Sequence, residues 1–354
     1  MPTFSIAVLP GDGVGLEVVP EALKVLDALA GRHDVTWKFT NFDWGSGYYF
    51  KHGRMMPAGG VDQLRPFDAI LLGAVGHPDI PDHTTLNGLL LPIRRTFQQW
   101  ACERPAKLYA GVRSPLADKA PGSIDLVVVR ENTEGEYSQI GGFLYQHTAD
   151  EIAVQTSVFT RLGVERIIRF AFDLARRRNG KKRVTSITKS NAQGFTLVLW
   201  DRTFAEVARE YPDIRTESLL VDAAAMNFVR RPESFDVVVG SNLFADILSD
   251  LGAIITGSMG LAPSNNLNPS REFPSMFEPV HGSAPDIAGK GIVNPIAMIL
   301  SAAMMVDFLG LPAAAPEVEL AVEKVLAAGK TLPADLGGTA STSAVGDAIL
   351  AKLV

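Results

Sequence analysis

The feature that most constrains this chain is a repeated alternation between short apolar runs and longer stretches of helical spacing. Phe4–Leu9, Val35–Phe42, Phe67–Leu72, Ala106–Gly111, Leu126–Val129, Arg183–Thr188, Ile214–Val221 and Val237–Val239 read as strands, several closed by a glycine. Between them, Leu16–Ala30 carries Val18, Val19, Ala22, Leu23, Val25, Leu26 and Leu29 at helical spacing. Leu89–Trp100, Val164–Arg178 and Ala192–Glu210 read as helices in the same way. Asn294-Pro295 places a capping residue and a first-turn proline at the head of a helix running to Leu309. Two more helices, Glu317–Ala328 and Ser343–Leu353, close the chain. The stretch from Gly135 to Phe159 departs from this rhythm, with two alternating arms including Ile152–Val158, and reads as a hairpin extension. Thr256–Ser275, rich in Gly, Pro, Ser and Asn, reads as a loop. Strands alternating with helices predict an α/β fold with a largely parallel sheet. With 354 residues, 47% of them hydrophobic, the chain can build a large core and two domains. No flexible linker separates two halves, so the two domains are expected to share a continuous sheet, with the chain passing between them twice.

Several functional classes are disfavoured at once. The net charge is −6 and no polybasic tract occurs, so neither nucleic acid nor an anionic membrane is an expected partner. No apolar stretch approaches the ~20 residues that span a bilayer, and the N-terminus begins as a strand, without the basic and apolar regions of a signal peptide. One cysteine, Cys102, excludes an intrachain disulfide and fits a reducing compartment. Cytoplasm is the expected location. Cys102 itself is expected to pack at the end of a helix.

Chemistry concentrates first in Phe235–Asp250, FDVVVGSNLFADILSD. A short buried strand ends at Gly240, and Ser241 and Asn242 are good residues to start a helix. Asp246 and Asp250 then stand four apart, on one face, among Leu243, Phe244, Ile247, Leu248 and Leu251. Like charges at that spacing cost an isolated helix roughly 0.2–0.5 kcal/mol, and burying them unpaired costs far more. A divalent cation such as Mg²⁺ or Mn²⁺, which prefers hard oxygen ligands, would relieve this. A bare DxxxD is more often a solvated helix face, so the reading depends on the rest of the chain.

The rest of the chain offers one decoy. Gly11-Asp12-Gly13-Val14-Gly15 follows a strand and precedes a helix, as a dinucleotide fingerprint would. The fingerprint requires G-x-G-x-x-G; here residue 16 is leucine and the glycine falls one place early. We read it as a glycine-rich turn at an active-site edge.

Other polar residues cluster at the ends of elements. Arg94 and Arg104 lie ten apart, Arg130 ends a strand and opens RENTEGEY with Tyr137, Lys189 ends a strand in TKSN, and Asp222 ends another. Open α/β sheets build their sites beyond the carboxyl ends of strands. Arg95, by contrast, reads as a solvated helix residue, and a lone lysine or tyrosine usually belongs to the surface or to packing. Together the set describes coherent chemistry: arginines fork onto carboxylates, aspartates hold a metal that polarises a substrate oxygen, a lysine beside that metal serves as base, and a tyrosine returns a proton to carbon. No Ser-His-Asp set occurs; the six histidines are scattered, His281 alone in a distinctive local context.

Taken together, GDGVGLEV, LLPIRR, RENTEGEY, TKSN, VDAAAMNF, GSNLFADILSDLGA and FEPVHGSAPDIAGKGIVNP resemble the isocitrate/isopropylmalate dehydrogenase family of β-decarboxylating dehydrogenases over essentially the whole length. The resemblance implies that fold, which is not the Rossmann fold, with 1–105 plus 262–354 as a large cofactor-binding domain. It assigns 106–261 to a small dimerisation and substrate domain with a hairpin arm near 135–160. It places Arg94, Arg104 and Arg130 on the substrate carboxylates, Tyr137 as the proton donor to the enolate, and Lys189 as the base for the hydroxyl proton. Asp222, Asp246 and Asp250 become the ligands of Mn²⁺ or Mg²⁺. Lys189 and Asp222 would reach in from the partner subunit, making the enzyme an obligate homodimer. The cofactor residues would be Glu278, His281, Gly282, Ser283, Ala284, Asp286 and Asn294. Asp286 falls where an acid accepts the adenosine ribose hydroxyls and repels a 2′-phosphate, which implies NAD. A monovalent cation such as K⁺ is left open.

Within that family the helix carrying Arg94 separates substrates. Asn87, Leu89, Leu90 and Leu91 precede the arginine without the serine that isocitrate enzymes use, and RENTEGEY stands where isopropylmalate enzymes read RELTGG. FDWGSGYYFKHGRMMP, FDAILLGAVGHPDIPDH and LLLPIRRTFQQ look most like the tartrate and D-malate dehydrogenases. The expected activity is NAD- and divalent-metal-dependent oxidation of the 2-hydroxyl of one of these small dicarboxylates, with decarboxylation of the β-keto acid where the product permits it. 3-Isopropylmalate is the alternative, since Leu90 and Leu91 also suit a branched alkyl group. The family also contains non-catalytic regulatory subunits, but these lose catalytic or metal residues and this chain keeps them. A phosphate-handling metalloenzyme is disfavoured by the lack of a P-loop.

Overall fold

The computed structural model describes residues 2–353. Numbered in chain order, the strands are β1 (Thr3–Gly11), β2 (Thr36–Asn41), β3 (Ala69–Ala74), β4 (Ala101–Lys107), β5 (Asp125–Glu131), β6 (Gly135–Leu144), β7 (Ile152–Val158), β8 (Arg183–Thr188), β9 (Arg215–Leu220), β10 (Val237–Gly240), β11 (Pro263–Leu267) and β12 (Ser275–Pro279). The chain forms two compact units. Unit 1 takes the residues through Gln99, Glu103–Asp125 and everything from Gly252 onward; unit 2 takes Trp100–Cys102 and Leu126–Leu251.

In unit 1 the strand order is β2-β1-β3-β12-β11. The pairings are parallel except between β11 and β12. All six residues of β3 are buried, as a parallel strand covered on both faces should be. The first helix, Gly15–Arg32, buries Val18, Val19, Ala22, Val25, Leu26 and Leu29. Helix Ile296–Phe308 is buried almost all round, which suits its run of Ala, Met, Ile and Leu.

In unit 2 the parallel order is β5-β10-β8-β9, and helix Arg161–Arg178 buries Val164, Ile167, Ile168, Ala171 and Phe172. β6 and β7 form a separate antiparallel hairpin. Ile140, Phe143, Leu144, Ile152 and Val154 on that hairpin are all exposed.

Four local expectations fail, each for a reason. The span 256–275 is not a loop throughout: it contains β11 and leads into β12. Period and apolarity could not reveal β11 because its centre is Ser264-Asn265-Asn266, all buried. Those polar groups are satisfied by distant partners: Asn265 Nδ2 donates to Glu103 at 2.8 Å, and Asn266 Nδ2 to Glu278 at 2.7 Å. The helix expected over Leu89–Trp100 is a π-helical turn, Leu86–Leu90, followed by Leu91–Thr96. It stops early because the chain turns at Gln98, where φ is +46°. The strand expected at Ala106–Gly111 lies earlier, at β4, where Glu103 and Arg104 interrupt the apolar pattern. Cys102 is consequently a buried residue of β4, not the end of a helix.

Candidate active site

In unit 2 the site is built where strands end. Arg130, at the end of β5, is only 2% exposed, so its guanidinium must be fully supplied with acceptors. Its Nε and Nη2 donate to Asn242 Oδ1 at 2.9 and 2.7 Å, and its Nη1 donates to Asp246 Oδ1. The Tyr137 hydroxyl donates to the other oxygen of Asp246 at 2.7 Å, and the tyrosine ring lies 5.2 Å from the Arg130 guanidinium carbon. Asp246 therefore joins two of the predicted site residues. Helix Asn242–Ile255, which carries it, is capped from outside its own segment. Glu136 accepts from the Leu243 N–H at 3.2 Å and from the Ser241 hydroxyl at 2.8 Å, which favours the positive end of the helix. RENTEGEY thus supplies Arg130, Glu136 and Tyr137 to a single helix.

Lys189 follows β8 and donates to Asp222 Oδ1 at 2.7 Å. That hydrogen bond, more than anything else, holds the Asp222 carboxyl below its usual range. Asp222 is exposed and Lys189 partly so.

The argument that Asp246 and Asp250 need a cation to relieve buried like charge is not met in this chain. Asp246 already has Arg130 and Tyr137, and Asp250 is exposed. Among the described residues no three His, Cys, Asp or Glu side chains gather as a metal-holding cluster, so Asp222 does not join the other two within one chain. The donors are nonetheless of the right chemistry, since carboxylate oxygens one helical turn apart suit a hard divalent ion. Two from one chain leave room for a third from elsewhere.

In unit 1, Arg94 lies on the short helix Leu91–Thr96, buried, and donates to Glu278 Oε1 at 2.6 Å. Asn266 donates to the same oxygen. Glu278, on β12, is itself buried. Arg104 is buried on β4.

The segment after β12 carries the other predicted cofactor residues. His281 Nδ1 is 3.0 Å from the Gly282 carbonyl, and burial pushes its imidazole pKa below the ordinary value, which keeps the ring neutral near pH 7. Ala284 holds a φ of +41°, a conformation that a residue with a Cβ adopts at a cost. Its carbonyl accepts from Ile287 and Ala288, so the HGSAPDIA turn is a closed structure. Gly282, Ser283 and Ala284 line a groove of about 630 Å³ together with Val75, Gly76 and His77. Asp286 is exposed on this turn. Asn294 Oδ1 accepts from Ile296 N–H at 3.0 Å, heading the following helix, and its amide donates to Asp335.

In the sequence Asn242 carries the signal of a capping residue only, and nothing local marks Glu136 or Asp335. Asn242 looked like a capping residue, and its second role depends on Arg130, 112 positions away. Asp335 accepts from both Ser258 and Asn294, yet its own neighbourhood, ADLGGT, gives no local signal.

These sites sit on a fold with known relatives. The isocitrate/isopropylmalate dehydrogenase family model matches residues 5–349, and the chain belongs to that family. A solved isocitrate dehydrogenase from Methylococcus capsulatus superimposes with a TM-score of 0.88 at 37% identity, covering 99% of both chains. Higher in sequence identity are two further relatives. Tartrate dehydrogenase/decarboxylase of Pseudomonas putida is 51% identical, covering 98% of this chain and 97% of its own. D-malate dehydrogenase [decarboxylating] of Escherichia coli (strain K12) is 52% identical, covering 99% and 98%.

Proposed function

We propose that this protein oxidises the 2-hydroxyl of tartrate or D-malate with NAD and a divalent metal, and decarboxylates the β-keto acid where the substrate gives one. The observation that carries the reading is the near-full-length identity of 51–52% to the tartrate and D-malate enzymes, against 37% to the isocitrate enzyme.

The residues take the following roles. Arg94, Arg104 and Arg130 bind the substrate carboxylates, for which a planar fork of donors is suited. Lys189 Nζ takes the hydroxyl proton as the alcohol becomes a ketone. After CO₂ leaves, the Tyr137 hydroxyl delivers a proton to the carbon that carried it. NAD would supply the hydride acceptor, and Mg²⁺ or Mn²⁺, which Asp246 and Asp250 with Asp222 of a neighbouring subunit would hold, would supply charge stabilisation. Asp286 selects NAD by repelling a 2′-phosphate. A homodimer, with Lys189 and Asp222 serving the neighbouring site, is supported by the exposed apolar side chains of the β6–β7 hairpin. It also accounts for Asp222 standing apart from Asp246 and Asp250 in the single chain. Among the described residues no helix is long and apolar enough to cross a membrane; a chain with one cysteine, Cys102, fits a reducing compartment, which supports a cytoplasmic location.

The test is NADH formation with Mn²⁺ on D-malate, the tartrate isomers, 3-isopropylmalate and isocitrate side by side. Activity on D-malate or tartrate, with CO₂ released from D-malate, is the expected result. Preference for 3-isopropylmalate would overturn the substrate assignment. Leu90 argues against that outcome, because it packs in a core cluster with Leu89, Ile93, Phe97 and Met276.

A further inference from the structure

The glycine-rich turn after β1 does not match a dinucleotide fingerprint, but it is not idle. It lies against the segment that follows β12. Val14 N–H donates to the Ser283 carbonyl at 3.0 Å. Gly13 has a φ of +54°, and a Cβ there would stand 2.1 Å from that same carbonyl oxygen, so no other residue allows the approach. One turn along the first helix, Glu17 accepts two more hydrogen bonds. Gly289 N–H reaches Glu17 Oε1 and Gly291 N–H reaches Oε2, each at 2.7 Å. Both glycines have positive φ, +77° and +66°, which is what turns their amides toward one carboxylate. An acid in a first helical turn already has a reason to be there, since it complements the helix dipole. That accounts for its charge but not for its aim at two amides 272 and 274 positions away.

We propose that Glu17 is a positioning residue for the dinucleotide site: together with Gly13 and Val14 it fastens the loop 283–291 at both ends, and so fixes where Asp286 stands. The inference rests on the reading of that loop as the NAD site. Asp286 lies between the two fastenings and is itself exposed, so its place is set by the backbone that carries it. Charge-assisted hydrogen bonds to paired amides are short and strong, and a loop held this way does not lose its disorder at the moment of binding.

The experiment compares Glu17→Ala and Glu17→Gln with the parent in two measurements: amide hydrogen exchange of the nucleotide-free protein, and steady-state kinetics. In Glu17→Ala, exchange at Gly289 and Gly291 should quicken and KM for NAD rise about tenfold, while kcat moves by less than about threefold. The preference for NAD over NADP should narrow. Glu17→Gln, which keeps one carbonyl acceptor, should fall between, and it carries the test if the alanine variant does not fold. Unchanged exchange at both glycines would overturn the proposal directly. Faster exchange with an unchanged KM for NAD would show instead that the loop is not the dinucleotide site, removing the reading on which the proposal rests. A fall in kcat with KM unmoved would mean a general structural role and would also overturn it.

Discussion

Both units bury a predicted substrate arginine beside a carboxylate, and they do it differently. In unit 1, Arg94 meets Glu278, whose side chain is 9% exposed and whose oxygen is also held by Asn266. In unit 2, Arg130 is anchored through two of its nitrogens by the neutral Asn242, while its carboxylate partner, Asp246, is 29% exposed and shared with Tyr137. The other ion pair among the predicted site residues of unit 2, Lys189 with Asp222, is more open still. A buried pair is costly to break because the remaining charge has no water to turn to. An open pair contributes little to stability and exchanges partners readily. The contrast is one of exposure: the unit 1 pair is sealed from water, while the carboxylates of the unit 2 pairs stand partly open to it.

The sharpest way to test that division is to strike each side and watch two quantities. Lys189→Met should lower turnover by about 10²–10⁴-fold, the usual contribution of a general base, with NAD binding retained and Tm almost unmoved. Unchanged turnover would remove Lys189 from the chemistry. Glu278→Ala should do the reverse in unit 1. It leaves Arg94 buried without its carboxylate and should cost about 3–5 kcal/mol of stability, read as a large drop in Tm. A small drop would mean that Arg94 reaches water or another acceptor.

Asn242→Asp would make the unit 2 arginine resemble that of unit 1, by giving Arg130 a buried anionic partner. KM for the hydroxy acid should rise by about tenfold, because the guanidinium charge is then spent internally; an unchanged KM would mean that Arg130 does not meet the substrate. Asp250→Asn should raise the Mn²⁺ concentration needed for half-maximal activity about tenfold, by removing one anionic oxygen donor. Equal Mn²⁺ dependence in variant and parent would count against this helix as the metal site.

The smallest effect is a titration. The Lys189 hydrogen bond lowers the pKa of Asp222 in the folded chain. A depressed folded value means that the pair's contribution to stability is fully present above the unfolded carboxylate pKa, and is lost as pH falls through the folded one. Carboxylate NMR should place the Asp222 midpoint below the ordinary aspartate range, and Lys189→Met should return it upward. An identical midpoint in both proteins would show that the pair does not persist in solution.

Much of the scaffold is written in short-range pattern. The 3.6-residue spacing of Val18, Val19, Ala22, Val25, Leu26 and Leu29 requires a helix with one buried face, and the structure buries that face. The valines of β10 and the Ser241-Asn242 junction mark a strand that passes into a helix, and both form there. The paired aspartates share that helix, as their spacing dictates. Family membership was legible too, because motifs such as RENTEGEY and GSNLFADILSD stand intact in the chain.

What the tertiary structure alone decided is where polar groups find their partners. β11 is a strand because Asn265 and Asn266 meet Glu103 and Glu278, not because its residues are apolar. Asp246 is neutralised by Arg130, 116 positions earlier in the chain. Glu17 is aimed at amides more than 270 residues away. Apolar burial leaves a local signature because it is periodic along the element that is buried. Hydrogen bonds and ion pairs between distant segments leave none, since each partner alone looks like an ordinary polar residue until the fold brings the other to it.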